Sequence, residues 1–101
     1  MSKKILVVDD DEDFIIILTK YLSNFDYEII TAKDGLNAIF KASSSEQLPG
    51  AIILDVQMSK LNGIETYQLL KDNKKLRKIP VIFVSGAANR DEILETLKRD
   101  G

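Results

Sequence analysis

Four short aliphatic runs set the limits on how this chain can fold: Lys4-Ile5-Leu6-Val7-Val8, Tyr27-Glu28-Ile29-Ile30-Thr31-Ala32, Ala51-Ile52-Ile53-Leu54 and Pro80-Val81-Ile82-Phe83-Val84. Each is bounded by turn formers or charge, and the first stops abruptly at Asp9-Asp10-Asp11. A run apolar at successive rather than alternate positions reads as a strand buried on both faces. Pro80 stands where a strand can begin. Between the runs the spacing is helical. Residues 11–24 place Phe14, Ile17, Leu18, Tyr21 and Leu22 on one face, and an Asp of the 9–11 run can cap the helix. Asp34-Gly35 opens a second helix carrying Leu36, Ile39 and Phe40, and Asn62-Gly63 a third carrying Ile64, Tyr67 and Leu70. A fourth starts at Asn89, with Glu92 in capping-box position, and carries Ile93, Leu94 and Leu97. Phe40, Tyr67 and Leu70 are expected in the core. Buried strands alternating with amphipathic helices imply an α/β fold, with a parallel sheet covered on both faces. No linker or repeat divides residues 1–101, which read as a single domain.

Composition removes several kinds of chemistry. The 101 residues include no Cys and no His, so there is no disulfide, thiol nucleophile, cysteine-zinc site or imidazole base. Carboxylates, hydroxyls, Lys, Arg or a borrowed metal must do any work. The 14 basic and 16 acidic residues leave a formal net charge of −2, spread without the basic run that marks direct nucleic-acid binding. The longest apolar run, Phe14-Ile15-Ile16-Ile17-Leu18, is far short of the roughly 20 residues of a membrane span. The Met1-Ser2-Lys3-Lys4 start leads into too short an apolar stretch for a signal peptide, so a cytoplasmic protein is expected.

In an open parallel sheet, ligands bind at the edge formed by the C-terminal ends of the strands. Strand one ends in Asp9-Asp10, strand three in Asp55 and strand four in Ser85, followed by Gly86. Neighbouring strands lie about 4.8 Å apart, so adjacency of strands one, three and four would bring these groups within reach of one another. Crowded carboxylates repel, and such a site either keeps a proton or recruits a cation. Mg²⁺, which prefers oxygen ligands and shares them with a phosphate, suits the set best. Asp55, at the end of a rigid strand, is then the candidate nucleophile for an acyl phosphate, and the Ser85 hydroxyl can donate to a phosphoryl oxygen. Each residue also has a plain structural reading: Asp9, Asp10 and Asp11 as helix caps, Asp55 as a loop acid, and Ser85 as a turn residue. The functional reading rests on their coincidence along one sheet edge.

Taken in order, Ile5-Leu6-Val7-Val8-Asp9-Asp10, Ala32-Lys33-Asp34-Gly35, Ile53-Leu54-Asp55-Val56-Gln57-Met58 with Asn62-Gly63, and Ile79-Pro80-Val81-Ile82-Phe83-Val84-Ser85-Gly86 resemble the receiver domain of bacterial response regulators. The resemblance spans nearly the whole chain. It implies a flavodoxin-like open sheet with helices on both faces, of order 2-1-3-4-5 in the complete fold and 2-1-3-4 for the four βα units present. It also implies that Asp55 accepts a phosphoryl group, that Asp10 ligates Mg²⁺ directly and Asp9 mainly through water, and that the Gln57 backbone carbonyl completes the protein's share. Ser85 would be the switch hydroxyl. The donor would be a phosphohistidine on a sensor histidine kinase or phosphotransfer protein, or a small acyl phosphate. The domain would be a signalling switch rather than an enzyme, promoting only its own phosphorylation and dephosphorylation.

Two departures stand out. Ser59 replaces the Pro usual after the Met, which is expected to loosen the loop after Asp55 without removing a ligand. The sequence stops at Gly101, where the family turns into a fifth strand and helix, so a C-terminally incomplete domain without the family's active-site Lys is expected. Neither Lys98 nor Lys60 stands at the end of a fifth strand to replace it. Strand four would then be a sheet edge, inviting self-association. The alternatives are an interaction module built on that edge, with impaired switching, and an Asp-nucleophile phosphohydrolase of haloacid-dehalogenase type. The latter wants an Asp where Gln57 stands. A nucleotide-binding module lacks any Gly-x-Gly-x-x-Gly or Walker-type run.

Overall fold

The four apolar runs form strands β1 (Lys3–Val8), β2 (Tyr27–Ala32), β3 (Ala51–Asp55) and β4 (Val81–Val84) in a computed structural model that describes residues 3–44, 46–55 and 62–84. All pairings are parallel and the spatial order is β2-β1-β3-β4, as the resemblance implied. Helices α1 (Glu12–Ser23), α2 (Gly35–Ser44) and α3 (Gly63–Asp72) connect them. The helix expected from Asn89 lies outside the described residues.

Strand alternation divides the core into two layers. Leu6, Val8, Ile52 and Leu54 face Ala38 and Ala42 of α2, Leu70 of α3, and Leu76 and Ile79 of the segment leading to β4. Ile5, Val7 and Val84 share the opposite face with Phe14 and Leu18 of α1. The strands are thus apolar at successive positions because both faces are covered.

Local signals start the helices where the sequence placed them. Asn62 accepts from the Glu65 N–H at 2.9 Å while the Glu65 carboxylate accepts from the Asn62 N–H at 3.2 Å, a reciprocal capping box for α3. Asp34 accepts from the Asn37 N–H at 2.8 Å at the start of α2. In the turn between α1 and β2, Asp26 takes a φ of 62°, a left-handed conformation that Asp tolerates better than most residues.

Two expectations about packing are corrected. Phe40, expected in the core, is 67% exposed, and Leu36 is exposed beside it. Helix α2 instead buries Gly35, Ala38 and Ala42, whose small side chains let its backbone lie close to the sheet, with Ile39 half-buried against the core and Leu36 and Phe40 outside. In α3 the buried residues are Gly63, Thr66 and Leu70, and Ile64 is exposed. Tyr67 is half-buried against the core. Strand β4, although its composition is that of an interior strand, is the sheet edge expected of it: among the described residues it pairs only with β3, and Ile82 is 55% exposed and Phe83 is exposed too. Ile82 also lines a cleft of about 530 Å³ with Ile5, Leu22, Ile53 and the starts of β1 and β3. That cleft lies at the N-terminal edge of the sheet, the end remote from the acids.

Candidate phosphoacceptor site

Identical side chains at positions 9, 10 and 11 acquire different roles from the backbone around them. Asp11 is extended, with φ −90° and ψ 105°, and caps α1 by accepting from the N–H groups of Asp13 at 3.1 Å and Phe14 at 3.3 Å. Capping therefore falls to Asp11, and Asp9 and Asp10 join Asp55. The last β1–β3 register pair is Val8 with Leu54, so the next positions along the two strands are Asp9 and Asp55. Asp9 lies one residue past β1, where its N–H donates to the Ala32 carbonyl at 3.0 Å and its Oδ1 accepts from the Asp11 N–H at 2.9 Å. Asp55 ends β3, flanked by β1 on one side and paired in register with Val84 of β4 on the other.

The result is a cluster in which one carboxylate oxygen from each of Asp9, Asp10 and Asp55 lies within 4.8 Å of the others. Asp9 and Asp55 are each 1% exposed, while Asp10 stands at the surface. Negative groups so close, two of them shielded from bulk water, repel one another, and a divalent cation offsets that repulsion. The donor set is all oxygen and all carboxylate, which fits a hard ion such as Mg²⁺ that keeps several waters and leaves positions for a phosphate oxygen. Gln57 and Ser85, the other two residues expected at this site, lie outside the described residues, as do Ser59, Lys60 and Lys98.

One pair at the rim was not anticipated. The Lys33 ammonium of the β2–α2 connection lies 2.7 Å from Glu12 Oε1 in the first turn of α1. The signal was present in Ala32-Lys33-Asp34-Gly35, but no local pattern joins residues 21 positions apart. Hydrogen bonding to Lys33, and then its charge, holds the Glu12 carboxyl below its ordinary range, and the same contacts raise Lys33. The Glu12 contribution to stability is therefore present above the usual carboxylate pKa and lost as pH falls through its lowered value. The Lys33 contribution is present below the usual ammonium pKa and lost as pH rises through its raised value. Both side chains are 68% exposed, so solvent screening keeps the pair's contribution to stability small.

Comparison with known proteins matches this geometry. The response regulator receiver domain family model matches residues 5–101. The chain is 40% identical over 85 residues to the alkaline phosphatase synthesis transcriptional regulatory protein PhoP of Bacillus subtilis, covering 84% of this chain and 34% of that protein. It is 33% identical over 92 residues to the polar-differentiation response regulator DivK of Brucella ovis, covering 91% of this chain and 73% of that one. The chain thus spans about a third of PhoP, and 21% of the response regulator PleD of Caulobacter vibrioides. Among solved structures, the phosphorylated cyanobacterial phytochrome response regulator RcpA superposes with a TM-score of 0.79 at 28% identity, over 99% of this chain and 75% of that one. The chemotaxis response regulator CheY4 of Vibrio cholerae shares the fold, with a TM-score of 0.78 at 23% identity over 98% of both chains. With four parallel strands in the order 2-1-3-4 and three acids gathered at their C-terminal edge, this chain belongs to the response regulator receiver domain family.

Proposed function

We propose that residues 1–101 form one receiver unit of a two-component system, acting in the cytoplasm, in which Asp55 is the phosphoacceptor. The observation that carries this reading is the convergence of Asp9, Asp10 and Asp55 at the C-terminal edge of the sheet. An Asp55 carboxylate oxygen attacks the phosphorus of a phosphohistidine, on a sensor kinase or phosphotransfer protein, or of a small acyl phosphate. The new O–P bond forms as the P–N bond, or the P–O bond of the acyl phosphate, breaks, and the leaving group keeps the bonding pair. Asp9 and Asp10, with Asp55 and the Gln57 backbone carbonyl, would hold Mg²⁺, which when bound supplies positive charge against the phosphoryl oxygens. Burial of Asp55 at the end of a paired strand fixes the attacking oxygen and limits competing water. The Ser85 hydroxyl would donate to the transferred phosphoryl group and relay its presence to the surface. The reaction changes the state of the domain itself and is not a turnover of substrate.

Intact mass after incubation with acetyl phosphate and Mg²⁺, beside Asp55→Asn, tests this reading. We expect a gain of one phosphoryl group in the parent and none in the variant. No gain in a parent chain that circular dichroism shows to be folded overturns it.

A second reading, an assembly module, is favoured by the exposure of Ile82 and Phe83 on a strand that pairs on one side only among the described residues. Its occupant would be a second copy, paired along β4. Sedimentation that finds only monomer at high concentration eliminates it.

A further inference from the structure

We infer that Glu12 and Lys33 form an electrostatic collar on the acid site, in which Lys33 attracts the anionic phosphodonor and Glu12 sets how much of that positive charge the donor meets. The inference rests on the phosphoacceptor reading of Asp55. Both ends of the collar are tied to the site through the backbone. The Asp9 N–H donates to the carbonyl of Ala32, the residue before Lys33, so the β2–α2 connection is fastened beside Asp9. The Asp11 cap holds the first turn of α1, which begins at Glu12, immediately after the acids. The Asp34 carboxylate secures the other side of Lys33 by accepting from the Asn37 N–H. From these anchored positions the two side chains meet at 2.7 Å.

An exposed ion pair adds little to folding, so its value lies in where it puts charge. Three carboxylates repel a phosphodonor that is itself an anion, and an ammonium fastened beside them lowers that barrier over distances within a Debye length. Lys33 also opposes the cation the acids would hold, and Glu12 offsets Lys33 in both respects. The collar therefore trades cation affinity against donor affinity. A different ion pair, Lys4 with Glu28 at 3.9 Å, joins the first half of β1 to β2 and is remote from this edge.

The test compares the parent, Lys33→Met, Glu12→Gln and the double variant in two measurements at low ionic strength. One is Mg²⁺ affinity by calorimetric titration of the unphosphorylated chains, and the other is KM and maximal rate with acetyl phosphate, followed by intact mass. Lys33→Met should bind Mg²⁺ about two- to fourfold more tightly and raise the donor KM by a similar factor; Glu12→Gln should move both the opposite way. Maximal rates should hold, and the double variant, which restores the parent's net charge, should fall between the two single variants in both measurements. Shifts of the same sign in both measurements, effects confined to the maximal rate, or four indistinguishable chains overturn the collar. A parent that takes up no phosphoryl group defeats the phosphoacceptor reading and leaves the cation titration to decide, where equal affinities overturn the collar as well.

Discussion

Asp9, Asp10 and Asp11 carry the same side chain, and what separates them is where the end of β1 and the start of α1 place each one. Asp11 spends its carboxylate on the N–H groups of α1, while Asp9 is carried by β1 to the place where β3 delivers Asp55. Removing the cap and removing a site acid should therefore have different signatures. Asp11→Ala should cost about 1 kcal/mol in urea denaturation and weaken Mg²⁺ binding far less than Asp9→Asn, since the Asp11 carboxylate faces the helix N–H groups. A loss of Mg²⁺ affinity as large as that of Asp9→Asn would place Asp11 in the site instead of at the helix. From the residues alone the Asp run can be assigned to a cap and a site together, because all three positions satisfy the composition of both; only the resemblance singles out Asp9 and Asp10 for the site.

Helix α2 shows the corresponding ambiguity for a whole element. Its stripe of Leu36 and Phe40 and its stripe of Ala38 and Ala42 have the same spacing, about 200° apart around the helix, and hydrophobic bulk points to the first as the core face. The second is buried because small residues allow close approach to β1 and β2 while α3 packs alongside. Substitutions on the two kinds of surface should separate clearly. Phe40→Ser should change stability by no more than about 0.5 kcal/mol, as for an exposed position. Leu70→Ala, which empties a fully buried site beneath α3, should cost about 2–5 kcal/mol. Chemical denaturation with matched slopes measures both, and comparable losses would show that the Phe40 stripe is covered in solution.

For the molecule as a whole, the acid cluster is a destabilising feature that a ligand can convert into a stabilising one. At ten times its dissociation constant, a cation that binds only the folded state adds about 1.4 kcal/mol, which for a domain of this size raises Tm by roughly 6–11 °C. Asp55→Asn should melt at or above the parent without Mg²⁺, because one repelling charge is gone, and should gain less from Mg²⁺. Thermal scans at constant ionic strength read both effects, and an equal Mg²⁺ gain in parent and variant would remove Asp55 from the cation site. Among the described residues no helix is long and apolar enough to cross a membrane, in keeping with a core built entirely between sheet and helices.

Local signals along the chain are enough to define the four strands, the first three helices, their order and the strand ends at which Asp9, Asp10 and Asp55 stand, because runs of β-branched residues, helical spacing and Asp or Asn caps survive without neighbours. The adjacency of strands in the order 2-1-3-4 was legible only through resemblance, since pairing between β1 and β3 depends on segments more than 40 residues apart. Two features came from the three-dimensional packing and from nothing local: which stripe of α2 is buried, and that Glu12 meets Lys33. In each case the physical reason is the same: burial and charge pairing are set by what comes to lie beside a residue, and a residue's neighbours along the chain do not specify that.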